Sequence, residues 1–361
     1  MKILYGVVGE GMGHAMRSAV ILERLVGAGH DVRIVGSGRA AEYLERAHPD
    51  RVTTITGLTM VYEDNEVRKL KTLLQNLKAA AGIPENVRAY LEMARDFSPD
   101  VVVSDFESWT YAFARGQGVP IVSVDNMQVI DRCTHDRALL GDEWASFLLA
   151  KGIVRNKLPR ANAYLITTFF FPPLRKDRSS LHPPILRRII LDAKARVSPG
   201  EHVLVYQTGT SHGGLLDALR AVDVPFRIYG MRRDLTAPVT EGNLCFCPFS
   251  EDQFTADLAS SRAVLAGGGF TLMGEAIYLG KPMLSIPLVG QFEQVLNASY
   301  LQKLGYGERT SEISREGLRS FLDKTPWYQE RLAAFEHDRN EGFFSALNGA
   351  IAAAIGEGSL P

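Results

Sequence analysis

Residues 263 to 298 read AVLAGGGFTLMGEAIYLGKPMLSIPLVGQFEQVLNA. An apolar run typical of a buried strand ends in three glycines, and a helical segment carrying Glu275 follows, with a second strand after it. Glycines let a ligand approach backbone N–H groups closely, and the start of a helix carries a partial positive charge. This order of elements predicts a pocket for the diphosphate of a nucleotide, with Glu275 placed to accept hydrogen bonds from ribose hydroxyls.

Apolar strand-like runs alternate with helical stretches over most of the chain, beginning with a strand at residues 3–8 and a helix from about residue 15 to 28. Such alternation indicates βα units on a parallel sheet. Residues 169–184 combine aromatic residues, prolines and charges without periodicity, and we interpret them as a connection between two domains. The predicted fold class is α/β, with two Rossmann-like, doubly wound parallel sheets facing each other across a cleft.

The composition narrows the possible functions. The chain has 361 residues and a net charge of −1, whereas binding to nucleic acid backbones usually requires a strong basic excess. Cys133, Cys245 and Cys247 form neither a disulfide framework nor a CxxC metal pair, so we expect free thiols in a reducing cytoplasm and no metal site. The first apolar run is too short for a membrane span and no export signal is visible, so we expect a cytoplasmic location.

The stretch at residues 263–298 resembles the donor-binding signature of inverting glycosyltransferases of the GT-B fold, especially the UDP-glycosyltransferases and the peptidoglycan-type N-acetylglucosaminyltransferases. The resemblance implies that Glu275 holds the nucleotide ribose and that Glu293 and Gln294 hold the donor hexose. Two positions depart from the pattern: Gly267 stands where many relatives have His or Arg, and Glu293 stands where the plant enzymes have Asp.

The resemblance also implies a division of labour between the domains. We expect residues 1–170 to form an N-terminal domain that binds the acceptor, and residues 185–335 to form a C-terminal domain that binds the nucleotide sugar. A C-terminal helical segment, 336–361, either crosses back to the first domain or packs on its own.

A glycine-rich loop, Gly9-Glu10-Gly11-Met12-Gly13-His14, lies between the first strand and the first helix. Its spacing differs from the dinucleotide-binding G-x-G-x-x-G pattern, and no acidic residue ends the second strand. The loop resembles instead the G-x-G-H turn of GT-B families, in which the His acts as general base. A role for His14 in ordering the loop is the alternative, although an imidazole is well suited to proton transfer near neutral pH.

An Asp that orients the imidazole is expected in the first domain, because an Asp after a strand does so in the UDP-glycosyltransferases. Asp105 follows an apolar strand at the matching place, and Asp125 ends the next strand. We prefer Asp105. Either side chain could instead hold a loop through backbone N–H groups.

Two further loops in the second domain resemble donor-binding segments of the same families. The turn after the strand at residues 202–207 offers hydroxyls and N–H groups to the diphosphate from the opposite side, and Phe249 lies where these families place uracil, although it could equally be core. The complete set of predicted donor contacts is Gly11, Gly13, Thr208, Gly209, Thr210, Phe249, Gly267, Gly268, Gly269, Thr271, Glu275, Glu293 and Gln294.

Residues 66–81 have leucines on one helical face and basic residues around it. Such a helix could contact anionic lipid, as a lipid-linked acceptor would require, or it could be a solvated helix packed on its own domain.

The sequence therefore predicts an inverting, metal-independent hexosyltransferase that uses a nucleotide-diphosphate sugar, expected to be UDP-linked, as donor substrate and needs no cofactor. Its acceptor is a small molecule, glycan or lipid-linked hydroxyl. A nonhydrolysing sugar-nucleotide 2-epimerase and a non-catalytic nucleotide-sugar-binding protein are the alternatives, since both suit the same architecture.

Overall fold

The structure, a computed structural model, describes residues 1–9, 11–57, 62–63, 66–67, 83–198, 200–208 and 214–358. Within these ranges the chain forms two predominantly parallel sheets of seven strands, each flanked by helices, and a short antiparallel ribbon. The predicted α/β fold class is confirmed. The helix predicted at residues 66–81 lies largely outside the described residues.

The first sheet contains β1 (Lys2–Val7), β2 (Asp31–Gly36), β3 (Val52–Thr54), β6 (Val101–Asp105), β7 (Ile121–Asp125), β8 (Ala163–Thr167) and β9 (Ser179–His182). Its strand order is β3-β2-β1-β6-β7-β8-β9, with every pair parallel. The ribbon is formed by β4 (Tyr62–Glu63) and β5 (Glu66–Val67). Every residue of β6 and β7 is buried, as expected for strands covered on both faces.

The first sheet and the helices around it form the first lobe, and the second sheet with its helices forms the second lobe. The helices of the first lobe are α1 (Met12–Gly27), α2 (Gly38–Ala47), α3 (Ile83–Asp96), α4 (Ser108–Gln117), α5 (Val129–Arg132), α6 (Arg137–Leu140) and α7 (Trp144–Lys157). Local sequence explains the ends of α4: Glu107 accepts hydrogen bonds from the first backbone N–H groups, and Gly118 ends the helix with a φ of 66°.

The second sheet contains β10 (Val203–Tyr206), β11 (Phe226–Tyr229), β12 (Val239–Glu241), β13 (Leu244–Cys247), β14 (Ala263–Ala266), β15 (Met283–Ser285) and β16 (Gly307–Arg309). Its strand order is β12-β13-β11-β10-β14-β15-β16, and only the β12–β13 pair is antiparallel among these described strands. The accompanying helices are α8 (Arg188–Ala193), α9 (Leu215–Arg220), α10 (Glu251–Ser260), α11 (Phe270–Tyr278), α12 (Phe292–Leu304), α13 (Arg315–Asp323), α14 (Thr325–Leu332) and α15 (Glu341–Glu357).

The strand order changes direction between β1 and β6 in the first sheet and between β10 and β14 in the second. Ligands of doubly wound sheets bind beyond the carboxyl ends of the strands at such a switch. The loop before α1 follows β1, Asp105 ends β6, and the three glycines follow β14. The fold therefore brings the sequence-predicted loops to the two switch points.

Three local expectations differ from the structure. The first helix begins at Met12 rather than near residue 15, because Gly11 adopts a φ of 79° and ends the loop early. The connection at residues 169–184 contains β9, which extends the first sheet. The C-terminal helical segment expected at residues 336–361 is α15, which begins only at Glu341, after Asn340 with a φ of 73°.

The last helix, α15, packs on the first sheet. Phe343, Leu347 and Ile351 are buried in the same hydrophobic cluster as Ile3 and Val101. Because α15 follows the second sheet in sequence, the chain crosses between the lobes twice. None of the helices in the described part of the chain has the length and apolar character needed to cross a bilayer.

Candidate active site

His14 and Asp105 contact each other at the switch point of the first sheet. The His14 Nδ1 atom lies 2.7 Å from Asp105 Oδ1. The early start of α1 places His14 in its first turn, and Asp105 is the last residue of β6. The carboxylate is fully buried, whereas 17% of the His14 side chain is exposed. The structure thus joins two predicted residues that are 91 positions apart in sequence.

Arg17 and Ser18 hold Asp105 from the same face of α1. The Arg17 guanidinium is bidentate on Asp105, with Nε at 3.0 Å and Nη2 at 2.5 Å, and Ser18 Oγ donates at 3.0 Å. Burial alone would raise the pKa of the Asp105 carboxyl, but the charges of Arg17 and His14 hold it below its ordinary value. The carboxylate is therefore ionised at neutral pH.

An ionised Asp105 determines which ring nitrogen of His14 carries the proton. Arg17 Nη2 and His14 Nδ1 lie 2.8 Å apart beside the same Asp105 oxygen, to which Arg17 donates. Because an ionised carboxylate can only accept, its 2.7 Å hydrogen bond with His14 requires a proton on Nδ1. With Nδ1 protonated, the neutral imidazole leaves Nε2 as an acceptor. This arrangement allows His14 to remove a proton from a hydroxyl placed at the exposed side of the ring.

Asp125, the alternative partner of His14, forms hydrogen bonds with residues close to it in sequence. Its carboxylate accepts hydrogen bonds from the backbone N–H of Gln128 at 2.8 Å and from the hydroxyl of Ser123 at 2.9 Å. Burial and the nearby charge of Asp105 raise its pKa to about 6. The geometry places Asp105, rather than Asp125, against His14.

The glycine turn of the second lobe packs against the start of α12. A Cβ on Gly268 would lie 2.4 Å from the carbonyl oxygen of Gln294, so this glycine is required by close packing. Gln294 Oε1 accepts from the N–H groups of Gly268 and Leu288, both at 3.1 Å. The predicted hexose contact Gln294 therefore also fixes the shape of the turn.

The neighbouring Gly269 faces open space. No heavy atom of the described residues lies within 4 Å of a Cβ built on Gly269, which precedes α11. In the same part of the chain, no side chain caps α11, so its first N–H groups are available to an anion. Gly267 is more confined, because a Cβ there would lie 3.2 Å from Gln294 Oε1.

Glu293 connects the second lobe to the first. Its Oε1 atom accepts a hydrogen bond from Asn126 Nδ2 at 2.8 Å across the interface between the two lobes, which we call the seam. It also accepts from Asn297 Nδ2 at 3.0 Å. Asn126 Oδ1 in turn accepts from Arg17 Nη1 at 2.9 Å. Burial raises the pKa of Glu293, and the charge of His14 opposes that shift. A continuous polar network therefore joins the His14–Asp105 pair to the predicted hexose-binding carboxylate.

Backbone packing at the seam is equally close. A Cβ on Gly13, in the first turn of α1, would lie 2.6 Å from the hydroxyl oxygen of Thr271, in the first turn of α11. The two helix starts thus face each other, with Gly11 just before α1.

Glu275 is buried and paired. Arg187, at the start of α8, donates to its Oε1 from Nε at 3.0 Å and from Nη2 at 2.7 Å. Burial raises the pKa of Glu275, and the Arg187 charge opposes this. Ribose hydroxyls would therefore meet a carboxylate whose orientation is set by Arg187.

The remaining predicted contacts lie around the second switch point. Phe249 follows β13 and is 61% exposed, so it is not a core residue, and the centroid of its ring lies 5.8 Å from that of Phe254. Thr208 is exposed two residues after the end of β10, and Gly209 and Thr210 lie outside the described residues. In the ranges that the structure describes, no group of three or more His, Cys, Asp or Glu side chains has the geometry of a metal site.

Sequence reasoning did not assign roles to Arg17, Asn126, Asn297 or Arg187. The spacing of His14, Arg17 and Ser18 places all three residues on one face of a helix. This spacing was a signal in the sequence from which a role for Arg17 could have been predicted. Asn126 and Arg187 gain their contacts only from tertiary packing.

Comparisons with known proteins agree with this architecture. The family model of glycosyl transferase family 1 matches residues 1–326. An uncharacterized glycosyltransferase of Methanosarcina acetivorans is 24% identical over 376 residues, covering 90% of each protein. Phytolacca americana UGT2, complexed with UDP-2fluoro-glucose and pterostilbene, has a TM-score of 0.68 at 13% identity, with 98% of each chain covered.

Acinetobacter baumannii MurG has a TM-score of 0.61 at 16% identity, covering 96% of this chain and 99% of its own. These structural likenesses confirm the GT-B fold that the sequence predicts. The chain belongs to glycosyl transferase family 1 and is a glycosyltransferase.

Proposed function

We propose that the protein transfers a hexose from a UDP-linked donor to an acceptor hydroxyl with inversion at the anomeric carbon and without a metal ion. The observation that carries this proposal is the His14–Asp105 pair at 2.7 Å, which shares one polar network with Glu293 of the opposite lobe. A base on one side of the seam and a sugar-binding carboxylate on the other are the groups that such a reaction requires.

In this mechanism, His14 Nε2 removes the proton of the acceptor hydroxyl as the oxygen attacks the anomeric carbon. The bond between that carbon and the donor diphosphate lies on the opposite face and breaks as the new bond forms, so the configuration inverts. Asp105 stabilises the imidazolium that forms, and Arg17 keeps Asp105 ionised and oriented.

We assign the contacts with the donor to residues of the second lobe. The open start of α11 at Gly269 supports a role in holding the diphosphate through backbone N–H groups and the helix dipole. Glu293 and Gln294 would hold the hexose, Glu275 the ribose and Phe249 the base. A structural neighbour complexed with a UDP-sugar analogue and an acceptor supports this choice of donor class.

We place the reaction in the cytoplasm, with peripheral contact to the membrane. Support for the compartment comes from Cys133, Cys245 and Cys247, which are all free thiols.

The test is transfer from UDP-hexoses to a panel of acceptors, with the anomeric configuration of the product read by NMR. The wild type should give inverted product. His14→Ala should lower kcat by roughly two to four orders of magnitude while donor affinity, measured by calorimetry, stays unchanged. His30→Ala, in the turn after α1, is the matched control. Retained configuration, or normal turnover by His14→Ala, would remove this mechanism.

A further inference from the structure

The helix α7 is apolar on both of its sides. Phe147 and Val154 are buried against the first lobe. On the outward side, Leu148, Leu149 and Ile153 are 51%, 64% and 52% exposed. We call these three residues the α7 surface. Three large apolar side chains exposed next to one another are typical of an interaction site, so the outward side of α7 is suited to a partner.

Small residues extend this surface. Ala145 and Gly152 are exposed on the same side of the helix, between the larger side chains. At helical spacing the outward face therefore presents several apolar or small residues over about three turns. Such a face can lie flat on, and partly enter, an apolar phase.

Cations lie together along one edge of the α7 surface. Lys151, Arg155, Arg175 and Lys176 form a basic cluster, and the latter three share the single buried carboxylate of Asp131. Lys151 lies one helical turn before Arg155, with its Nζ atom 5.0 Å from the centroid of the Phe147 ring. Burial lowers the pKa of Lys151, and the charge of Arg175 lowers it further. The whole chain has a net charge of only −1, so this concentration of positive charge is local.

The α7 surface lies beside the seam between the lobes. The rings of Phe147, on α7, and Phe292, the first residue of α12, are 5.6 Å apart. Glu293, the predicted hexose contact, is the next residue along the chain. The helix that carries the α7 surface therefore packs, through its buried side, against the start of the helix that carries Glu293.

We propose that the α7 surface and the basic cluster bind an anionic phospholipid membrane. The leucines and Ile153 enter the headgroup region while the cations contact lipid phosphates. A second copy of the chain fits less well, because two-fold pairing through this surface would place one basic cluster against the other. In combination with the proposed function, on which this step rests, the acceptor is a membrane-resident hydroxyl.

The test measures binding of the whole protein to phosphatidylcholine vesicles with and without phosphatidylglycerol, by sedimentation and without any donor. Binding should require the anionic lipid and weaken with salt. Lys151→Gln with Arg155→Gln should weaken it roughly 30-fold, since each cation contributes about fivefold. Leu149→Ser with Ile153→Ser should weaken it by at least roughly tenfold.

Matched controls come from other exposed positions. Arg188→Gln removes a cation that is 86% exposed on α8, and Ile355→Ser removes an exposed apolar side chain of α15. Both should bind as the wild type does, and circular dichroism checks that each variant is folded. Equal binding of all folded variants, or absence of binding to anionic vesicles, would overturn the proposal, as would dimerisation through α7 in solution.

Failure of the proposed function would look different. His14→Ala should bind vesicles normally whatever its effect on transfer, because His14 lies outside the α7 surface. If the wild type does not bind anionic vesicles but still transfers sugar to soluble acceptors, the membrane proposal is wrong and the transfer mechanism stands.

Discussion

Asn126→Ala removes the contact that joins the two halves of the site. Asn126 Nδ2 donates to Glu293 Oε1 at 2.8 Å across the seam, and its Oδ1 accepts from Arg17 at 2.9 Å. A hydrogen bond with a charged partner contributes about 1.5–3 kcal/mol. If the bond to Glu293 stabilises the arrangement in which transfer occurs, kcat/KM should fall roughly 10- to 150-fold.

The assay is steady-state transfer over a range of pH, with Asn126→Asp as the second variant. The new carboxylate can still accept from Arg17 but faces Glu293, whose pKa is raised by burial. Protonation relieves that repulsion, so kcat/KM of this variant, relative to wild type, should rise as the pH falls.

Asn162→Ala provides the control for general damage to the fold. Asn162 is also buried in the first lobe, where it bonds Ile121 and Gly358 away from the seam. This variant should be destabilised but should keep wild-type kcat/KM. If Asn126→Ala transfers sugar within twofold of wild type, the network does not couple the lobes.

Three other predictions concern stability, packing and metals. Burial raises the pKa of Asp125 from 3.8 to about 6, so the folded state binds this proton more tightly than the unfolded chain does. As the pH rises from about 4 to 6, the wild type should therefore lose up to about 3 kcal/mol of unfolding free energy. In urea titrations, Asp125→Asn should be more stable than wild type at pH 7.5 and similar at pH 4, and an equal difference at both would contradict this. Gly268→Ala places a Cβ 2.4 Å from the Gln294 carbonyl, so calorimetry should show roughly tenfold or greater loss of donor affinity. Gly349→Ala on α15 is its control. Transfer should persist in EDTA, whereas loss that added metal restores would exclude the metal-independent mechanism.

The alternation of strands and helices was sufficient to predict two doubly wound sheets, since each βα unit is encoded locally. The same apolar runs placed His14, Asp105 and the three glycines after strands, whereas the roles of His14 and Asp105 came from the resemblance to GT-B families. The resemblance to the UDP-glycosyltransferases favoured Asp105 over Asp125, and Asp105 is the residue that contacts His14.

Other features depended on tertiary contacts and could not be predicted in this way. In the sequence, Asn126 cannot be distinguished from any other polar residue that follows a strand. Its role depends on the hydrogen bond with Glu293, which belongs to the second lobe. Glycine at position 268 was interpreted as making room for a diphosphate, but its closest neighbour is the backbone of Gln294. β9 was missed because its sequence, SSLH, has one strongly apolar residue and is paired along only one edge.

The return of α15 limits how this enzyme can be recombined with its relatives. A gene fusion at the connection near residue 184 would take the half that carries His14 from one parent and α15 from another. Phe343, Leu347 and Ile351 would then have to fit a foreign sheet, because they complete the core beneath β1 and β6. Functional chimeras should therefore exchange an internal cassette and keep both chain termini from the same parent.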